Sequence, residues 1–225
     1  MFWFLNSNIT MEDIILRIFA VVIIILLILP LHEYAHGWVA DKLGDPTAKY
    51  SGRMTLNPAF HIDPLGSIGI LLFGFGWAKP VPIDPRYFKN PKRDMAITAL
   101  AGPVSNILAA IVGGLLINLI FLFNSSISQS LLYGLVIFFQ YYISINIGLA
   151  VFNMIPIPPL DGSKILAAFI PDRILYKFTQ YQNIIILLLF VLIFIGFLSV
   201  PLTFAQMYVY KFVMWLTSLP FISFK

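Results

Sequence analysis

The sequence predicts an all-α polytopic membrane protein with about five transmembrane helices and a small membrane-associated hairpin or loop region. Three observations predict it. Of the 225 residues, 60% are hydrophobic and only 11% charged, where soluble domains carry roughly 25% charged residues. Mean hydropathy is +0.90. The apolar residues also come in long runs, close to the roughly 20 residues a helix needs to cross the hydrocarbon core. The net charge of +4 does not point to nucleic acid, because the basic residues cluster beside apolar runs and so read as orientation relative to a bilayer. Cysteine is absent, which excludes disulfides and thiolate metal sites and leaves His, Asp and Glu as metal ligands. The N-terminus has neither a basic n-region nor a small-residue cleavage site. The expectation is one membrane-embedded domain over residues 1–225, with a core at 14–162 and C-terminal helices at 184–219.

The first expected span, Ile14–Leu31, runs helically into Leu31-His32-Glu33-Tyr34-Ala35-His36-Gly37. Ile68–Phe75 is apolar but too short to cross, and Gly66, Gly69, Gly74 and Gly76 punctuate it, which favours a re-entrant or interfacial hairpin over a helix. Ala96–Phe123 and Leu131–Asn153 are two further spans joined at Asn124-Ser125-Ser126. Ile184–Val200 is a fourth, and Leu202–Leu219, with Lys211 near its middle, is the fifth.

Lys42, Lys49, Arg53, Lys79, Arg86, Lys89, Lys92 and Arg93 lie in residues 41–95, and Lys164, Arg173 and Lys177 in residues 156–182. The positive-inside rule then places both stretches in the cytoplasm and the N-terminus outside. Arg17 dissents, close enough to its helix end to snorkel. A multi-pass protein of the cell membrane follows, and the small size suits a prokaryotic plasma membrane.

Two imidazoles four residues apart share one helix face, a spacing that grips a single metal ion with Glu33 beside it. Ionisable residues at membrane depth are costly and so are candidates for function by default. The alternative is a pair of satisfied histidines at a helix end. Pro30 removes one backbone hydrogen bond just upstream and opens the helix locally; an ordinary membrane-helix kink is the competing reading. A catalytic zinc needs a third protein ligand. His61 and the membrane-proximal acids are the candidates, and Asp161 is favoured. It sits in Asn153-Met154-Ile155-Pro156-Ile157-Pro158-Pro159-Leu160-Asp161-Gly162, where three prolines in four residues cannot continue a helix. Irregular backbone at that depth belongs where protein buries it or water reaches it. An ordinary interfacial turn is the alternative there.

The pair of motifs, His-Glu-x-x-His at the end of one span and Asn-x-x-Pro-x-Pro-x-x-Asp-Gly at the end of a later one, resembles the site-2 protease family. Its members are intramembrane zinc metalloproteases. The likeness runs from about Ile14 to Gly162. It implies one zinc ion held by His32, His36 and Asp161, with Glu33 as the catalytic acid/base and Asn153 as a polar active-site residue. Ala101-Gly102-Pro103-Val104-Ser105-Asn106 resembles the family's middle-span element, and Phe75-Gly76-Trp77-Ala78-Lys79-Pro80-Val81-Pro82 its membrane-associated loop. The chain has no room for a PDZ or CBS domain and so resembles the family's short form. Asn106 is either a substrate contact or interhelical glue. Trp77 is either an interfacial anchor or part of an edge that clamps an extended substrate. His61 is a gate, a support for the metal ligands or simply a structural residue, and Asn146 reads as packing. The implied partners are single-span membrane protein substrates and the bilayer. An inert zinc-binding scaffold for partner helices shares the ligands but has no use for Glu33. A transporter predicts a second broken helix in a repeated half, and only one proline-broken site is present.

Overall fold

A computed structural model describes residues 15, 18–19, 22–73, 76–123 and 128–224. Most of the first half of the expected span Ile14–Leu31, Arg17, Gly74, Phe75 and the Asn124-Ser125-Ser126 connection lie outside the described residues. The described residues are helical or irregular, with no strand among them. The chain divides into two compact units, Met1–Lys89 and Asn90–Lys225.

In the first unit, a π-helical turn at Ile24–Ile28 runs directly into α1, Leu29–Leu43. Pro30 explains the wide turn. A proline inside a helix has no N–H to give and its ring crowds the carbonyl four residues back; here the Leu29 N–H reaches Ile24 O instead, five residues back. α1 stops at Gly44, whose φ of 110° is one that glycine reaches without a Cβ penalty. Asp45 follows, fully buried. Its carboxylate accepts the Thr47 N–H (2.9 Å), the Thr47 hydroxyl and the Asp84 N–H (2.7 Å). One buried acid thus ties the end of α1 and the short helix α2, Thr47–Tyr50, to a stretch almost forty residues on.

The segment expected as a hairpin rather than a helix contains one: α3, Pro64–Phe73. The start signals outweigh the glycines. The Asp63 carboxylate accepts the Gly66 N–H (2.8 Å), and Pro64 holds the first helical position, where its missing N–H costs nothing. The glycines serve packing. A Cβ on Gly66 would stand 2.0 Å from Trp77 O, and one on Gly76 1.9 Å from Gly66 O. α3 and the irregular return segment 76–84 therefore lie main chain against main chain.

In the second unit, α4, Pro91–Leu122, begins at Asn90, with Pro91 in the first turn and the Asp94 carboxylate accepting the Asn90 N–H (2.9 Å). At 32 residues it is about 48 Å long, more than the ~30 Å hydrocarbon core. α5, Gln129–Asn153, is capped by Ser128. The core shared by α4, α5 and α9 centres on Ala110, Ile117, Ile143, Ile147 and Val213. Asn118 Nδ2 donates to Gly114 O and to Thr217 O, 2.9 and 3.2 Å away, an amide used as interhelical glue.

After α5 come α6, Asp161–Ala167, then α7, Asp172–Gln180, α8, Gln182–Phe194, and α9, Ser199–Ser218. α4 and α5 are long and apolar enough to cross a membrane, and α7 with α8, bent by 69°, makes a third candidate if the pair is one span. α9 has the length, but Gln206, Lys211 and three polar aromatics dilute its hydropathy. The break expected at Val200-Pro201 lies earlier, at 195–198. Gly196 takes the turn with φ 74°, while Pro201 fits the first turn of α9, where a proline is tolerated. Lys211 is exposed, its Nζ 6.0 Å from the Tyr208 ring centroid, so it does not face the bundle interior.

Candidate metal centre and its supports

α1 puts His32 and His36 on one face, one turn apart. Both are 5% exposed. Their rings meet edge-on with centroids 4.7 Å apart, and their Nε2 atoms are 3.1 Å apart. Two ligands of a tetrahedral zinc, each at roughly 2.0–2.1 Å, stand about 3.3 Å from each other. The nitrogen pair therefore has the separation of two ligands of one ion, and neutral imidazole is a common zinc ligand. Glu33, next to His32, accepts the Val81 N–H on its Oε2 at 2.8 Å.

Val81 belongs to the return segment, which is bonded on several sides. The Lys79 N–H donates to His61 O (2.8 Å), and Arg53 Nη2 donates to Lys79 O (2.7 Å) and Pro80 O (3.2 Å). Pro80 and Pro82 have no N–H. The expected edge for an added substrate strand thus has its Lys79 and Val81 donors and its Lys79 and Pro80 carbonyls already engaged. Trp77 is 46% exposed, in keeping with either of its readings.

His61 is 1% exposed, and its Nε2 lies 2.8 Å from Thr55 O. A carbonyl only accepts, so Nε2 carries the proton and donates. That ring bond and the Lys79 N–H on its own carbonyl make His61 a brace for the return segment.

In the second unit, Asp161 opens α6, which folds there because Pro158 and Pro159 end the preceding irregular stretch and Leu160 is extended. Asp161 is 5% exposed, and Lys164 Nζ lies 3.2 Å from its Oδ1. Gly162 is required by a close approach: a Cβ there would sit 2.3 Å from Met154 O and 2.5 Å from Ile155 O. The end of α5 and the start of α6 are thereby pressed together. Asn153 closes α5 and donates from Nδ2 to Leu149 O (3.0 Å). Asn106 is fully buried on α4 with neither amide atom bonded, a costly state that calls for an explanation. Asn146 is also fully buried; its Nδ2 donates to Tyr142 O (2.9 Å) while Oδ1 has no partner.

Sequence reasoning missed the Val81 amide, Arg53, Lys164 and Asp45. The Pro-Val-Pro triplet carried a signal for the first, because it isolates a single N–H. Lys164 was also within reach, three residues after Asp161 on one helix; the Arg53 and Asp45–Asp84 contacts emerge only in three dimensions.

Apolar helices long enough to cross a membrane and a buried histidine pair with ligand spacing fit a membrane metalloprotein. The model of peptidase family M50 matches residues 116–196. The chain is 43% identical over 173 residues to "Putative zinc metalloprotease YwhC" of Bacillus subtilis, covering 76% of this chain and 79% of that protein. MJ0611 of Methanocaldococcus jannaschii carries the same designation and is 38% identical over 140 residues (60% of this chain, 62% of that protein). Rip2 of Mycolicibacterium smegmatis carries it too, at 30% over 142 residues (61% and 52%). No solved structure matches the chain. The chain belongs to peptidase family M50, the site-2 protease family. Membership implies zinc.

Proposed function

We propose that this chain is a zinc-dependent intramembrane endopeptidase of the His-Glu-x-x-His type, hydrolysing peptide bonds in or near the transmembrane segments of single-span membrane proteins. The observation that carries the reading is the pairing of a ligand-spaced His32–His36 couple with a Glu33 carboxylate held by a main-chain amide. As the paired motifs imply, His32, His36 and Asp161 hold one zinc per chain, and residues 1–225 act as one protease domain. Zinc, when bound there, polarises a carbonyl and makes water acidic enough to lose a proton near neutral pH.

The chain's own groups do the rest. Glu33 takes the proton on the carboxylate oxygen not held by Val81 and returns one to the departing amine. Asn153 and Asn106 offer amide hydrogen bonds to substrate. Trp77 and the return segment hold the unwound peptide. The chain passes the cell membrane about five times, with the N-terminus outside and residues 41–95 and 156–182 cytoplasmic, as the Lys/Arg distribution directs. Water then reaches the site from the cytoplasmic side.

The test uses purified chain in lipid with a single-span peptide substrate. Glu33→Gln should abolish cleavage while about one zinc per chain remains. Retained turnover would sink the mechanism. Zinc without cleavage of any of many membrane substrates by the unmodified chain would make it a scaffold.

A further inference from the structure

Arg53 takes no part in the chemistry above, and among the described residues no carboxylate pairs with it. Its Nε is buried without a partner. Its Nη2 instead donates to two successive main-chain carbonyls, Lys79 O at 2.7 Å and Pro80 O at 3.2 Å. The second of these matters most. Pro80 C=O and Val81 N–H belong to one peptide unit, planar and rigid, and that N–H donates to Glu33 Oε2 at 2.8 Å.

A cation therefore sits at the oxygen end of the peptide dipole and a carboxylate at the N–H end. A peptide dipole of roughly 3.5 D aligned between opposite charges is stabilised at both ends, and hydrogen bonds in series polarise one another. The neighbouring sequence leaves no substitute. Pro80 and Pro82 contribute no donor, and a following proline holds both Lys79 and Val81 out of helical conformations. On the other side, the Lys79 N–H is fixed by His61 O at 2.8 Å.

We propose that Arg53 is a positioning residue for the reaction: through the Pro80–Val81 peptide unit it fixes the orientation of the Glu33 carboxylate. The inference rests on the reading of Glu33 as acid/base. It assigns the charge of Arg53 to the catalytic carboxylate rather than to the fold of the loop.

The test compares Arg53→Met and Arg53→Lys in the wild-type and Glu33→Asp backgrounds, using the full chain in lipid. Zinc content, melting temperature, kcat and KM are measured for each. Arg53→Met should lower kcat roughly 10- to 100-fold, the worth of one charge-assisted hydrogen bond, with KM within about threefold and zinc unchanged. Arg53→Lys should recover part of the loss. In Glu33→Asp the carboxylate is one methylene short of the Val81 amide, so Arg53→Met should cost little more. An equal cost in both backgrounds, or a kcat loss matched by lost zinc or a collapsed melting temperature, would overturn the proposal. If Arg53→Met does not fold, Arg53→Lys decides by the same comparison. Wild-type turnover in Glu33→Gln would instead defeat the underlying reading of Glu33, so the two failures are distinct.

Discussion

Gly66→Ala adds one methyl group where α3 meets the return segment. The new Cβ would stand 2.0 Å from the Trp77 carbonyl oxygen, 2.9 Å from its carbon and 3.0 Å from the Trp77 nitrogen. All three are main-chain atoms, so no side chain can swing aside. Restoring ordinary contact at 3.4 Å needs a retreat of about 1.4 Å, which applied along the segment stretches the 2.8 Å Val81–Glu33 bond past the hydrogen-bonding limit. Overpacking of this kind costs about 1–3 kcal/mol of stability, and a misplacement of ~1 Å at a catalytic group costs on the order of 100-fold in rate. The sign is diagnostic, because Gly→Ala inside a helix ordinarily stabilises by roughly 0.5–1 kcal/mol. Thermal unfolding in detergent and cleavage in lipid should both fall, with zinc retained. A variant as stable and as active as the wild type would refute the main-chain packing argument.

Two further expectations concern the second unit. Lys164→Met removes the ammonium 3.2 Å from Asp161 Oδ1, so zinc retention against a chelator should weaken about 10- to 100-fold, the usual effect of losing a group that supports a ligand; unchanged retention would show that Lys164 is idle. Asn106→Leu replaces a fully buried amide with no partner by an apolar side chain of similar size, which should stabilise by about 1 kcal/mol while lowering cleavage; a gain in stability with full activity would reduce Asn106 to packing.

The legible parts were those whose signal is local. His32, Glu33 and His36 lie within five residues on one helix, and Asp161 follows a run of prolines that no helix tolerates, so spacing and chain stiffness make them candidates from the sequence alone. The apolar runs of α4 and α5 were legible for the same reason, from composition over a window. α3 departs from the expected hairpin because its glycines count as helix breakers by propensity alone. Their purpose, approach to Trp77, depends on a contact eleven residues away. The π-turn was half visible, since Pro30 announced a lost hydrogen bond but not how the backbone would respond. The Glu33–Val81 contact spans 48 residues and the Asp45–Asp84 contact 39; no periodicity encodes such pairings.

The donor to Glu33 is a main-chain group, and this bears on how the site can drift over evolutionary time. Any residue except proline keeps that N–H, so position 81 can change its side chain without surrendering the contact. What restrains it is size. A Cβ on Gly37 would lie 3.3 Å from Val81 Cγ1 and 3.2 Å from Ala48 Cβ, tighter than ordinary contact. Growth at 37 therefore needs both neighbours to give by a few tenths of an ångström. The three positions should vary as a coupled volume, while the carboxylate's partner passes unaltered through the substitutions around it.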